Sequence, residues 1–506
     1  MKPGPIRHPL FAPLAIGLLL RLAAAVFGSG YLMHDDHFMV LEVAGSWADG
    51  EDYNRWLPWN QEGEKEAVPA NFTYAGSQFL VLKGLQSAGV HHPGTQALII
   101  RVLHALYGAL IILFGYRLAL ALRPDRKDLA TTAAWILAAG GLWPLLAVHQ
   151  LVEMVCIPPL LLAFTTLAVS ERVTLKQAVL AGVGIGIATG LRYQCGLIGI
   201  GLVPVLLMQR QLKPLIATGI TALVVFALMQ APDLFIWGEP FVQLRGYISY
   251  NAAHAGAYPE GPWYQYVLTL GGLLVPPVSL MLMWGAFHTD QATSPRWWRV
   301  LAPILLFLVF HSLFINKQER FILPVVPALI ILGTLGWAHW SERSQWWGRH
   351  RRFERVNWSA FWILSIAILG LTIPYPGKHS RVAAMAFLHA QGTEHFAMVQ
   401  VDSGAMPPRF YSGTWRDYHI DDRRMQRQDA LAVTERWCAH PPEFILFQGD
   451  RHLGEAVAEY KSALPGLRYV TTIKPSRIDR WLHALNPINS VERIMIYATE
   501  DALPCP

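Results

Sequence analysis

Charge is scarce in this sequence. Of 506 residues only 15% are Asp, Glu, Lys or Arg, against 53% hydrophobic residues. Soluble globular chains carry about a quarter charged residues, because that fraction wets their surface, so an ordinary cytosolic enzyme is excluded. Cysteine is also scarce. Four residues and no Cys-x-x-Cys pair indicate neither a zinc site nor a disulfide framework. No solenoid-length repeat and no low-complexity tract is present, which removes repeat scaffolds and disordered linkers. What fills the chain instead is apolar blocks of roughly fifteen to twenty-five residues, each long enough to cross a hydrocarbon core of ~30 Å. Short basic or aromatic segments separate them. The chain reads as a polytopic α-helical membrane protein.

The blocks predict about eleven spans, at 10–30, 94–122, 129–148, 150–170, 177–191, 193–208, 214–236, 263–287, 300–315, 321–340 and 357–375. A net charge of +6 would suggest nucleic acid in a soluble chain. Here Lys and Arg gather in short connectors, as they do on the cytoplasmic side of membranes, so lipids and not nucleic acid are the expected partners. The basic connectors are 1–8, 123–128, 171–176, 209–213, 288–299 and 341–355, and they alternate consistently with the spans. That alternation predicts a cytoplasmic N-terminus. It puts 31–93, the turn near 149, 237–262, 316–320 and everything after 376 on the outer face. The N-terminal apolar run has no small-residue cleavage site and is expected to remain as the first span. The 19 Trp and 17 Tyr suit interfacial belts.

Two outer segments are too long to be connectors. Residues 31–93 hold the acids and imidazoles of His34-Asp35-Asp36-His37, then Asn71-Phe72-Thr73-Tyr74, and an interfacial helix is expected near 78–89. Residues 237–262 form an aromatic loop that includes Trp237, Phe241, Tyr247, Tyr250 and Tyr258. After 376 the polarity becomes ordinary. β-like runs at 396–401, 444–447, 469–473 and 493–497 alternate with helical stretches at 428–437 and 454–464. The expected organisation is a membrane module over 1–375 and a small soluble α/β domain over 376–506. Cys438 and Cys505 both fall in that domain. A disulfide between them and two separate thiols are equally compatible with the sequence.

Several charged residues stand where charge is costly. His34, Asp35, Asp36 and His37 sit where the first span ends. They suit a polar junction that wets a helix end, or a carboxylate that removes a proton from a hydroxyl. Metal binding is the weaker reading, because adjacent residues point in different directions and no second cluster has ligand spacing. Glu153 opens the fourth span, as an interfacial acid or as part of a site. Arg192 lies between two short apolar runs, where a cation costs several kcal/mol unless paired or hydrated. It reads as functional or as a snorkelling cap. Lys317 and Arg320 share an outer-face turn with Asn316 and Glu319. They could hold a phosphate, with Glu319 orienting one of them, or close a turn salt bridge.

The stretch Asn316-Lys317-Gln318-Glu319-Arg320-Phe321-Ile322-Leu323-Pro324 resembles the His-Lys-Glu-x-Arg-Phe-x-x-Pro signature of glycosyltransferase family 22, the dolichyl-phosphate-mannose-dependent mannosyltransferases of N-glycan and GPI-anchor assembly. Asp35-Asp36 with Leu41-Glu42-Val43-Ala44 resembles the family's first-loop Asp-Glu and Leu-Glu-Val-Ala. Gln150-Leu151-Val152-Glu153-Met154 resembles its Asn-x-x-Glu segment. The departures are Asn316 for His, Gln318 for Glu and Asp36 for Glu, the pattern of a distant bacterial member. The resemblance implies a GT-C-type enzyme that inverts the sugar in a single displacement at the outer face of a bacterial inner membrane. The donor is a polyprenyl- or dolichyl-phosphate sugar, with mannose as the family's sugar, and the acceptor is a glycan or glycolipid. Asp35 is then the base and Asp36 its neighbour. Lys317, Arg320 and Arg192 face the phosphate. His34, Glu153, Glu319 and Asn316 are supporting or acceptor-side residues, with Glu153 shaping the acceptor side, and no metal or cofactor is implied. A transporter or flippase of lipid-linked sugars is the alternative, and a scaffold displaying 376–506 a third. Neither the absence of inverted repeats nor the one-sided soluble tail suits a transporter.

Overall fold

The computed structural model describes residues 8–68, 71–254, 256, 260–288, 294–486, 491–499 and 503. Among these, Pro93–Leu122, Leu212–Ile236, Pro295–Leu313, Glu319–Arg343 and Arg351–Thr372 are helices long and apolar enough to cross a membrane unaided. The expected span 263–287 is instead two helices, Gln265–Leu273 and Val278–Phe287, bent by 119°. The break falls at Pro276-Pro277, where a helix loses backbone donors and meets ring clashes. The expected span 129–148 likewise stops at Ala139, before Gly140-Gly141, and resumes only as the short turn Trp143–Leu146. Four further apolar helices, Phe11–Phe27, Val152–Ala168, Leu175–Leu191 and Tyr193–Met208, are shorter than a full crossing. Five of the described helices, or six if the bent pair is one span, are long and apolar enough to cross, against about eleven expected; the other apolar blocks are short or broken.

Two outer segments also differ from expectation. The aromatic stretch 237–262 is not simply a loop, because it contains the helix Val242–Ala253; Tyr258 lies outside the described residues. Gln243 explains the local fold: its side chain accepts the Phe72 N–H at 2.9 Å, and its own N–H donates to Asp233 at 3.1 Å. The helix expected at 78–89 begins earlier and runs Phe72–Ser87.

The chain forms two compact units. One comprises residues up to Val26, Arg55–Ser77 and Arg101–Pro374; the other comprises Phe27–Asn54, Gln78–Ile100 and Tyr375–Pro506. In the second unit the chain makes a two-residue parallel pair, β1 (Ser29–Gly30) with β2 (Pro376–Gly377). A five-stranded sheet follows from β3 (Phe396–Gln400), β4 (His419–Asp422), β5 (Phe444–Gly449), β6 (Arg468–Ile473) and β7 (Arg493–Ala498). Its order is β4-β3-β5-β7-β6. β3 runs parallel to β4 and β5, and β7 antiparallel to β5 and β6.

Successive strand side chains point to opposite faces, and both faces here are covered. Phe396, Met398, Leu446, Ile494 and Ile496 pack with Met385 and Leu388 and with Leu41, Leu82 and Ile100. Ala397, Val399, Ile445, Phe447 and Tyr497 pack on the other face with Val433, Trp437, Val457 and Tyr460. This is why segments from three distant parts of the sequence share one core. Cys438 is disulfide-bonded, while Cys156 and Cys195 are free. Cys505 lies outside the described residues.

In the first unit, Val278–Phe287 and Val326–Arg343 touch backbone to backbone. A Cβ on Gly336 would collide with the Gly285 carbonyl, and one on Gly333 with the Leu282 carbonyl. Overpacking of this kind costs about 1–3 kcal/mol. Gly336→Val is therefore expected to lower the thermal unfolding midpoint in detergent by several degrees. The neighbouring Gly348→Val, where a Cβ meets open space, should leave it unchanged.

Candidate functional site

In the membrane unit the charged residues converge on Glu153. This carboxylate rides on the short helix Val152–Val155 and is fully buried. Its Oε1 receives the Arg192 guanidinium at 2.6 Å and stands 3.7 Å from Nε of Arg320. Arg192 is the residue at which Leu175–Leu191 ends, in extended backbone. Arg320 lies in the 3₁₀ segment Glu319–Val325 and donates to the Gln318 side chain at 2.9 Å. The Phe321 ring lies beneath both guanidinium groups, 5.0 and 6.0 Å away. Helix ends supply irregular backbone, and each of these groups sits at one.

The sequence pairs Lys317 with Arg320, but the structure gives them different tasks. The Lys317 ammonium donates to the carbonyls of His311 and Ser312, each at 2.9 Å, and of Phe314, closing the end of Pro295–Leu313. Those are the carbonyls a helix leaves without an internal partner. The Tyr266 ring stands 5.6 Å from the same ammonium. Asn316 is buried beside it and bridges by backbone to Glu260. Glu319 is exposed and pairs with neither Lys317 nor Arg320 among the described residues; the acid near Arg320 is Glu153. The expected turn salt bridge is absent there.

Counting charges, Arg192, Arg320 and Lys317 outnumber Glu153. Arg192 Nε and Nη2, Glu153 Oε2, Asn316 Oδ1 and His311 Nε2 are buried without a hydrogen-bond partner. Orphaned donors on a buried cation are costly, and here they leave the Arg192 guanidinium with hydrogen-bonding capacity to spare. Beside it opens a cavity of about 600 Å³. Thr189, Tyr193 and Gln194, the close sequence neighbours of Arg192, line its polar end with Tyr247, which accepts from Gln194. The remainder is apolar, with Leu223 and Phe310 among its walls. Asn71 and Thr73 reach the same region, donating to the Gly190 and Met229 carbonyls. Sequence reading noticed that segment but not its contact.

In the second unit the short helix His34–Asp36 passes into a wider π-helical turn, His37–Leu41, and then into Glu42–Ala48. Single π turns of this kind recur at functional sites. His34 is exposed, Asp35 half-buried and Asp36 buried. The turn is held by its buried neighbours. His37 Nε2 lies 3.0 Å from Glu42 Oε1, which also accepts the Phe410 N–H at 2.9 Å. The Tyr31 ring stacks on His37 at 4.4 Å. Arg381 donates to the Tyr31 hydroxyl at 3.2 Å and forms a bidentate pair with Glu492. Burial would raise the Glu492 carboxyl, but the Arg381 guanidinium and the Ser403 hydroxyl outweigh it, leaving Glu492 below the usual glutamate range. Burial pushes the Tyr31 hydroxyl above the ordinary phenol value. Sequence reading found the acids and missed this frame, whose parts come from positions hundreds of residues away. Among the described residues no three His, Cys, Asp or Glu side chains group as metal ligands.

The chain is similar to several known proteins. A family model described as the Alg9-like mannosyltransferase family matches residues 13–404. Human alpha-1,2-mannosyltransferase ALG9 is 23% identical over 173 residues, 31% of this chain and 28% of its own length. The undecaprenyl phosphate-alpha-4-amino-4-deoxy-L-arabinose arabinosyl transferase of Serratia proteamaculans is 25% identical over 151 residues, 26% of this chain and 25% of its own. The matched stretch thus spans less than a third of either curated relative. Among solved structures, ArnT from Cupriavidus metallidurans bound to undecaprenyl phosphate superimposes with a TM-score of 0.62 at 16% identity, over 98% of both chains, a likeness of fold. With the family match running from residue 13 to 404, as the signature at 316–324 led us to expect, the chain belongs to the Alg9-like mannosyltransferase family and has a GT-C fold.

Proposed function

We propose that this protein is a membrane glycosyltransferase. It moves a sugar, mannose by family, from a polyprenyl- or dolichyl-phosphate donor to a hydroxyl of a glycan or glycolipid at the outer face of a bacterial plasma membrane. One observation carries the reading: a buried cation cluster with orphaned donors beside a largely apolar cavity of about 600 Å³. A phosphate joined to a hydrocarbon chain has the matching chemistry. The relatives support the donor class, since one is named for undecaprenyl phosphate and another was solved bound to it.

The charge change during transfer explains what the cations do. A sugar-phosphate diester carries one negative charge, and the departing lipid monophosphate carries ~1.5–2. Arg192 and Arg320 therefore bind the leaving group more tightly as the bond from the anomeric carbon to phosphate oxygen breaks. That is stabilisation specific to the transition state. Lys317 adds positive charge while it closes its helix, and Glu153 keeps both guanidinium groups aimed. The acceptor oxygen attacks the opposite face of the anomeric carbon, which inverts the sugar, and its proton goes to Asp35, with Asp36 as the neighbouring acid. His34, Asn316 and Glu319 support the acceptor and turn regions. Residues 376–506 stand on the outer side in this scheme. No metal is needed, because protein cations balance the phosphate.

Purified protein given polyprenyl-phosphate mannose and a panel of glycan acceptors is expected to release polyprenyl phosphate and form a glycoside of inverted configuration. Arg192→Gln should reduce kcat/KM by about 10²–10³, the usual loss for one preorganised electrostatic contact. Wild-type turnover in that variant would remove Arg192 from the donor site. Asp35→Asn should abolish transfer while donor binding, measured separately by retention of the lipid, stays intact. Full transfer by the Asp35→Asn protein would leave some other group as the base.

A further inference from the structure

A second cavity, of about 310 Å³, lies at the opposite ends of other helices and plays no part in the transfer scheme. Its walls include Trp284, Trp337, Trp340, Trp347 and Phe353, with Met281 deeper in. Trp284 occupies the last turn of Val278–Phe287, and Trp337 and Trp340 the last two turns of Val326–Arg343. Trp347 belongs to the short helix Gln345–Arg349, and Phe353 to the first turn of Arg351–Thr372. The rings form a continuous wall. Trp337 lies 5.2 Å from Trp340 and 5.0 Å from Trp347, Trp284 lies 5.7 Å from Trp340, and Trp347 lies 5.7 Å from Phe353. Yet Trp284 and Phe353 remain about half exposed, at 47% and 50%. An ordinary interfacial belt scatters its rings around the protein; this one gathers them around a slot.

The slot opens where the chain is most basic. Arg349, Arg352 and Arg355 are exposed on the connector 341–355 that rims it. The acids of that connector are already engaged. Glu354 takes Arg351 at 2.9 Å and the Trp337 indole N–H at 3.1 Å, and Glu342 takes Arg126 at 2.9 Å. Arg349 and Arg352 enter no ion pair among the described residues. An apolar, ring-walled slot under a rim of unneutralised arginines matches one kind of molecule: an acyl chain with a negative head.

We propose that this slot binds an anionic phospholipid, with one acyl chain lying along the wall made by Trp284, Trp340 and Phe353 and the head-group phosphate against Arg349 and Arg352. Basic pockets between helix ends are a general mode of recognition for anionic head groups. Arginine suits it by donating two hydrogen bonds to a phosphate at once. The site pins the arginine-rich connector to the bilayer and fixes the ends of the four helices that wall it.

The full-length protein in neutral maltoside micelles tests this. It is titrated with phosphatidylglycerol or phosphatidylcholine carrying the same bromine-labelled acyl chains, and quenching of tryptophan fluorescence is followed. Quenching should saturate at an at least tenfold lower fraction of phosphatidylglycerol, as roughly fivefold per arginine implies. Arg349→Gln combined with Arg352→Gln, both at exposed positions, should move the phosphatidylglycerol curve onto that of phosphatidylcholine. Trp340→Phe with Trp347→Phe should lower the quenched amplitude while the tighter binding of phosphatidylglycerol persists. Identical curves for the two lipids in wild type, or a preference surviving the arginine replacements, would overturn the proposal. So would an amplitude unaffected by the tryptophan replacements, since the lipid would then be seated elsewhere.

Discussion

Glu153 holds the Arg192 guanidinium at 2.6 Å inside an apolar helical body, and much of the membrane unit follows from the need to keep that cation satisfied. A buried carboxylate stripped of its partner is destabilising by about 3–5 kcal/mol, so the short helix around Glu153 and the end of Leu175–Leu191 must stay together. Arg320 can approach the same carboxylate only if its own segment breaks from regular helix, which the 3₁₀ run Glu319–Val325 achieves. Non-helical backbone among apolar helices is tolerated where it is covered by protein or lines a cavity, and here residues 322–325 are buried, so it is covered. Short and broken helices are thus the means by which charged groups from three parts of the sequence reach one point.

The second unit solves a similar problem with a different material. Its acids stand on a one-turn helix, just before a wider π-helical turn, with little stability of its own. The support is lateral: an imidazole and a carboxylate locked together, a phenol stacked on the imidazole, and an arginine–glutamate pair behind the phenol. Each of these groups is buried and makes at least one hydrogen bond, which ties the network together. The sheet supplies the foundation, since its strands are covered on both faces and cannot slip by one residue without turning every side chain to the wrong side.

How much of this was legible in the sequence depended on range. Local signals read well. The runs at 396–401, 444–447, 469–473 and 493–497 became β3, β5, β6 and β7, because alternating or continuous apolar residues report burial directly. The nine residues from Asn316 to Pro324 carried the family. Arg192 stood out because an isolated cation in an apolar stretch has few inexpensive explanations. What the sequence hid was pairing at a distance. Nothing near Lys317 announces that its ammonium will cap the preceding helix, and nothing near Glu153 names Arg192 as its partner. The span at 263–287 misled for another reason: hydropathy averages over Pro276-Pro277, whereas backbone geometry does not. The strand His419–Asp422 was missed because its charged residues do not look like sheet.

The small parallel pair of Ser29–Gly30 with Pro376–Gly377 carries an implication for biogenesis. It joins a point just beyond the first apolar helix to a point just beyond the last, so everything between is a closed loop. Ribosomes deliver the chain from one end, and the later strand of this pair, like every strand of the large sheet, arrives only after all the apolar helices have been made. Until then Leu41, Leu82 and Ile100 have no sheet to pack against. The turn bearing Asp35 and Asp36 therefore matures last, although it is among the first residues synthesised. A nascent chain halted before residue 375 would hold its membrane helices and lack the frame that gives those acids their shape.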